Sequence, residues 1–113
     1  MSERHEINKS NIDSLLLSLI SEQPLYGYQM IKDLEGRSQG YFKFKEGTLY
    51  PALHKLEESG MAEGKWQTLA TGQKRKYYHI TDKGLKALKL KRDSWIEFLN
   101  AMNLVITSSS PLQ

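Results

Sequence analysis

Lys45-Glu46-Gly47-Thr48-Leu49-Tyr50-Pro51-Ala52-Leu53-His54-Lys55-Leu56-Glu57-Glu58-Ser59-Gly60 is the stretch around which the rest of the chain is read. Leu49, Leu53 and Leu56 recur at i, i+4 and i+7, which stacks them on one face of a helix. The spacing predicts a helix of about 11–13 residues. Gly47 and Thr48 are cap-type residues at its start, and Pro51, lacking an N–H, is expected in the first turn. Gly60 is suited to the left-handed residue that ends many helices. The face opposite the leucines carries Gly47, Thr48, Tyr50, Pro51, His54 and Lys55, with Glu57 and Glu58 at the far end. Small, aromatic and hydrogen-bonding groups of this kind suit a helix that enters a DNA groove by its N-terminal half. A plain amphipathic core helix has the same pattern, so the neighbouring segments decide.

Upstream, Ile12, Leu15, Leu16, Leu19 and Ile20 follow a helical period, with Asn11 or Ser10 available as N-cap and Asp13 in the first turn. Gln23-Pro24 ends that helix, because the residue before proline leaves the α region. Met30, Ile31 and Leu34 then mark a second short helix to about Leu34. Gly36 to Gly40 reads as loop, and Phe42 and Phe44 alternate with lysines as a short extended segment. Met1 to Lys9 is polar and expected to fray.

Downstream the period changes. Residues 61–66 and 76–80 are two short runs of strand-type residues, joined by the polar Gln67 to Arg75 with Gly72 as a hairpin tip. Two helices, a reading-type helix and a basic-tipped hairpin are the order of a winged helix-turn-helix. Tyr77 and Tyr78 alternate faces, one toward the core and one outward. From Asp82 a long helix restarts, with Leu85, Leu88, Trp95, Leu99, Met102 and Ile106 on a heptad seam and Arg92 at the skipped position. To Ile106 it would measure about 37 Å at about 1.5 Å per residue. One winged domain cannot cover that stripe, so its C-terminal half is expected to pack on a second subunit. The fold class expected is mostly α with a small β-hairpin: a winged helix-turn-helix over 10–80, a dimerisation helix over 81–106 and a disordered tail over 107–113.

The remaining composition narrows the function classes. At 113 residues the chain is one domain, and without cysteine it has no disulfide framework and no Cys-type zinc or redox site. Leu15 to Ile20 is too short to span a bilayer and lacks a preceding signal-type basic region, so the expected location is the cytoplasm, with no membrane partner. Net charge is only +3, but no acid lies between Glu63 and Asp82, where Lys65, Lys74, Arg75 and Lys76 fall. That is an electrostatic footprint for phosphate, or simply a solvated loop. His5, His54 and His79 are scattered, with no H-E-x-x-H spacing, no G-x-S-x-G elbow and no phosphate-cradling glycine loop. No catalytic residue, metal site or cofactor is assigned, and the chain is read as a non-enzyme.

Within the DNA reading, Thr48 and Tyr50 can hydrogen-bond phosphate or base edges, and Lys55 suits phosphate or guanine acceptors. Trp95 has two readings. It is either an aromatic in the core of a dimer interface, or a flat surface at the two-fold axis where both copies sandwich a planar ligand.

The chain resembles the PadR-like winged-helix transcriptional regulators. The resemblance rests on Pro24-Leu25-Tyr26-Gly27-Tyr28, on Gly47-Thr48-Leu49-Tyr50-Pro51-Ala52-Leu53 with Leu56-Glu57 and Gly60, and on Arg75-Lys76-Tyr77-Tyr78 followed by Thr81 and Gly84. It spans about residues 10 to 106. The single C-terminal helix is similar to the short subgroup that includes the lactococcal multidrug-responsive regulator. The resemblance implies a homodimeric repressor on a double-stranded operator. The DNA-facing set expected is Tyr26, Gly47, Thr48, Tyr50, Pro51, His54, Lys55, Lys74, Arg75 and Lys76. The heptad seam gives the expected dimer and ligand face, Leu88, Arg92, Trp95, Leu99 and Met102, and the resemblance implies a planar aromatic small molecule stacked on Trp95. Pro51 departs from that subgroup, although proline there is common in the wider family, and the rest of the pore lining is not obviously matched. The alternative from another class is a winged helix used only for protein–protein contacts.

Overall fold

The computed structural model describes residues 9–108. Its elements are α1 (Lys9–Glu22), β1 (Leu25–Tyr26), α2 (Gly27–Arg37), α3 (Glu46–Glu58), β2 (Ala62–Thr68), β3 (Lys74–Ile80) and α4 (Asp82–Ser108). The strands form one antiparallel sheet in the order β1-β3-β2, so the hairpin is extended by two residues from the α1–α2 link. Leu16, Leu17, Met30, Leu49, Leu53 and Leu56 meet at the centre, each almost fully buried. Burying a leucine side chain contributes about 1.5–3 kcal/mol, so these contacts hold the three helices together. Tyr78 is buried against this core and Tyr77 is half-buried, in line with their expected opposite faces.

The helix ends follow local chemistry, with some departures from expectation. α1 starts at Lys9, so Ser10 and Asn11 lie inside the helix rather than capping it, and Asp13 falls beyond the first turn. Its cap would lie outside the described residues, as do residues 1–8 of the expected frayed end. Leu17 is fully buried although it is off the expected stripe. α2 runs on to Arg37 instead of stopping near Leu34, and Gly36 is helical. The chain then reverses at Gln39 (φ 53°) and Gly40 (φ 85°). No strand forms at 41–45. Phe42 and Phe44 instead stack at 5.9 Å and pack against the core, which removes the alternation a strand would need.

α3 has 13 residues and is capped by Lys45, so Gly47 and Thr48 are inside it and Pro51 is its sixth residue, past the first turn. The missing N–H of Pro51 frees the carbonyl of Gly47, the residue four back, and Gly47 is exposed, which keeps that carbonyl near water. The other end is a Schellman stop: Gly60 N–H donates to Glu57 O (3.1 Å) and Met61 N–H to Leu56 O (2.9 Å), with Gly60 at φ 80°.

The β2–β3 loop of residues 70–72 is closed by Leu69 N–H donating to Gln73 O (2.7 Å) and Gly72 N–H to Leu69 O (2.8 Å), with Gly72 at φ 90°. Thr81 opens α4, its hydroxyl oxygen accepting from Gly84 N–H at 3.0 Å. α4 has 27 residues and so reaches about 40 Å, which gives the molecule its long dimension of 65 Å. Thr107 and Ser108 belong to this helix rather than to a tail; residues 109–113 lie outside those described. Among the described residues no helix is long and apolar enough to cross a membrane.

Candidate nucleic-acid interface

α3 stands as a ridge with a cleft on either flank. Its leucines face inward, and Gly47, Thr48, Tyr50, Pro51, His54 and Lys55 all remain exposed. The structure divides that outward set. Gly47, Thr48, Pro51 and Lys55 line a 310 Å³ cleft whose far wall is Ile12 and Asp13 of α1. Burial pushes the Asp13 carboxyl up, and the nearby Lys91 and Lys55 ammonium groups oppose that shift. Tyr50 leans the other way, toward a 430 Å³ cleft between α2 and the hairpin. Its ring lies on Gly27, where a Cβ would come within 2.6 Å of Cζ and of the hydroxyl oxygen. Burial, then the Glu46 carboxylate, raises the pKa of its phenol, which like any tyrosine hydroxyl can donate a hydrogen bond at neutral pH. His54 is exposed, with Nε2 3.4 Å from the Glu58 carboxylate.

On the hairpin the three consecutive basic residues part company. Lys76 Nζ lies 2.9 Å from Glu57 Oε1 of α3, with both side chains about 30% exposed, and 5.5 Å from the Tyr78 ring centre. This pair ties the hairpin to α3, lowering the Glu57 pKa and raising that of Lys76, chiefly through their hydrogen bond. Gly64 pairs with Tyr78 on β3, and a Cβ there would collide with the Lys76 stem. Arg75 instead lies over the Tyr26 ring at 4.3 Å, and Tyr26 packs edge-on against Tyr77 at 5.4 Å. Lys74 is exposed. Among the described residues neither Lys74 nor Arg75 meets a carboxylate in an ion pair. A convex helix, flanked by a β-ribbon carrying uncompensated cations, is the shape of a winged DNA-binding domain.

The model of the "Transcriptional regulator PadR-like family" matches residues 16–90 of the chain. The chain belongs to the PadR-like family. A PadR-like transcriptional regulator from Bacillus cereus is 34% identical, with 87% of this chain and 93% of that one covered and a TM-score of 0.76. A PadR family transcription regulator from Clostridium difficile is 31% identical, covering 84% and 97%, with a TM-score of 0.73. A Streptococcus mutans protein matches over 96% and 98% of the two chains at 28% identity and a TM-score of 0.80. The family consists of transcriptional regulators rather than enzymes, and its winged helix binds DNA.

The second predicted cluster of this PadR-like chain lies at the α1–α4 junction. Trp95 and Arg92, with Leu88 and Ile96, border a 300 Å³ cavity closed by Leu15 and Phe42. Leu88 is only 3% exposed and belongs to the core of its own chain. Trp95 is half-buried and meets Phe98 edge-on at 5.7 Å. Beyond it Phe98, Leu99, Met102, Val105 and Ile106 are exposed, a run of apolar side chains on one flank of α4.

Tyr28, Trp66 and Gln73 also line the hairpin-side cleft and were not assigned from sequence. Counting outward from the Gly72 tip would have found Trp66, because strand register places it opposite Lys76.

Proposed function

We propose that the protein is a cytoplasmic, homodimeric repressor that binds a pseudo-palindromic operator and is released by a planar aromatic molecule held at Trp95. The observation that carries the DNA half is the α3 ridge, with Thr48, Tyr50, Pro51 and Lys55 exposed beside the uncompensated Lys74 and Arg75. Two such ridges enter successive major grooves about 34–36 Å apart, with the hairpins on the backbone or minor groove.

The exposed flank of α4 supports the dimer: Leu99, Met102 and Ile106 continue the seam of the buried Leu88 and half-buried Trp95, and none of the three is covered by the other described residues. Burying it on a second copy stabilises both, and a two-fold axis makes the patch self-complementary. The 300 Å³ cavity beside Trp95, mostly apolar with Ser14, Ser18 and Arg92 at its edge, suits a flat aromatic ligand.

The test is a titration of purified protein against the duplex immediately upstream of its own gene, at two salt concentrations, with an unrelated duplex as control. Salt-sensitive binding that prefers the upstream duplex supports the reading, and Tyr50→Ala and Lys55→Ala should weaken it while leaving the dimer intact. Equal, feeble and salt-insensitive binding to both duplexes would instead favour a winged helix used only for protein contacts.

A further inference from the structure

The cleft between the hairpin and α2 is walled by aromatic rings that the fold itself does not need. Trp66 is 66% exposed and Tyr28 is 52% exposed, on opposite sides of the same opening. An indole so exposed on a strand contributes little to the core, and single exposed aromatics are unremarkable. Here, however, two of them face a row of cations. Lys74 is exposed at the rim, and Arg75 lies over the Tyr26 ring at 4.3 Å, a cation–π contact that leaves its charge without a carboxylate partner among the described residues. Lys32 stands over the Tyr28 ring at 5.6 Å on the far side. The Glu57 carboxylate, beside the hairpin, is already occupied by Lys76. Gly27 leaves room for the Tyr50 ring to lie low, which opens the floor of the cleft.

We infer that this cleft is a phosphodiester clamp: one DNA strand bordering the groove entered by α3 passes between Trp66 and Tyr28. Lys74, Arg75 and the phenol hydroxyls of Tyr28 and Tyr50 meet its phosphates, and the Trp66 indole lies on its deoxyribose. The inference rests on the DNA-binding reading and adds to it Tyr28 and Trp66, contacts that act on any sequence. Cations neutralising phosphate make binding salt-dependent, whereas aromatic contact with sugar does not release counterions. The two kinds of wall are therefore separable by salt.

The experiment titrates the dimer with the upstream duplex and with an unrelated duplex. DNA anisotropy gives binding, and the difference in emission between wild type and Trp66→Phe isolates Trp66 from Trp95. Trp66 emission should change on both duplexes. Trp66→Ala should bind both about tenfold more weakly, equivalent to about 1.4 kcal/mol, with the salt slope unchanged, while Trp66→Phe binds as wild type. Lys74→Ala and Arg75→Ala should each flatten the slope by about one phosphate. The clamp is overturned if duplex binds by anisotropy while Trp66 emission stays still, or if Trp66→Ala keeps full affinity. An equal emission response to inorganic phosphate alone would also overturn it, in favour of a small-anion site. If wild type binds neither duplex even at low salt, the regulator reading itself fails and the clamp falls with it.

Discussion

Gly27→Ala isolates the contact that places Tyr50. The new Cβ would lie 2.6 Å from Tyr50 Cζ and from its hydroxyl oxygen, against about 3.5–4.0 Å for a comfortable carbon contact. The ring must therefore retreat by about 1 Å or more, and because Tyr50 is 41% exposed it can swing toward solvent. If about 40–60 Å² of ring is uncovered, the loss is about 1–1.5 kcal/mol at about 25 cal/mol/Å². Alanine in place of a helical glycine returns about 0.5–1 kcal/mol. Stability should consequently change by less than about 1 kcal/mol, while DNA affinity falls about tenfold as the phenol leaves its position, the cost of about one hydrogen bond. Denaturant unfolding and DNA anisotropy read the two quantities separately. In a Tyr50→Ala background the same substitution should become stabilising, with a coupling of about 1–2 kcal/mol in the double-mutant cycle. Additive effects, or unchanged DNA affinity in Gly27→Ala, would refute the idea that this glycine seats the tyrosine.

Gly84→Ala should be among the most damaging changes, costing about 3 kcal/mol or more. Its Cβ would run into the Met61 carbonyl oxygen, which is backbone, and come within 2.7 Å of Ile80; the thermal midpoint checks it. Leu53→Ala, at the base of α3, should cost about 2–5 kcal/mol in denaturant unfolding, because Leu53 is fully buried. The Glu57–Lys76 pair should give stability a pH signature. The lowered Glu57 pKa makes its contribution complete above the ordinary value of 4.5 and lost as pH falls through the folded value. The raised Lys76 pKa makes its share complete below 10.5 and lost as pH rises through the folded value. Unfolding curves for Glu57→Gln should show a smaller acid-side loss than wild type, the remainder coming from groups such as Glu22, whose pKa the Arg37 hydrogen bond also lowers.

Much of this fold is written in local signals. The 49/53/56 leucine spacing, Gly60 as a helix stop, Gly72 at the hairpin turn and the heptads after Asp82 each act within a few residues, so they can be read in one dimension. What escaped the sequence depends on partners brought from elsewhere. Lys76 looks like its basic neighbours, yet Glu57, 19 positions upstream, makes it a brace between hairpin and α3. Leu17 is off the stripe of α1 but is buried because three elements besides α2 pack around that helix. Pro51 sits in the second turn because an exposed Gly47 lets the broken hydrogen-bond ladder face water. Trp66 escaped because hydrophobicity alone marks a residue for the core, and only strand register turns it outward.

The arrangement also constrains how a ligand at Trp95 can act on DNA. α1 is common to both sites: its Asn11 and Ser14 border the cavities against Trp95, while Ile12 and Asp13 border the cleft along α3. Just beyond them Leu16 and Leu17 are fully buried, which ties this helix into the close-packed core. A ligand that merely fills the cavity, binding the DNA-competent and incompetent arrangements equally, would change nothing at α3. Release therefore requires that the ligand prefer an arrangement that binds operator less well. Linkage then makes the effect reciprocal: whatever factor the ligand removes from operator affinity, operator must remove from ligand affinity. Titrating a planar aromatic probe against the protein, with and without saturating operator, measures that factor from both directions. A probe that binds equally well in both states would sit beside Trp95 without being an effector.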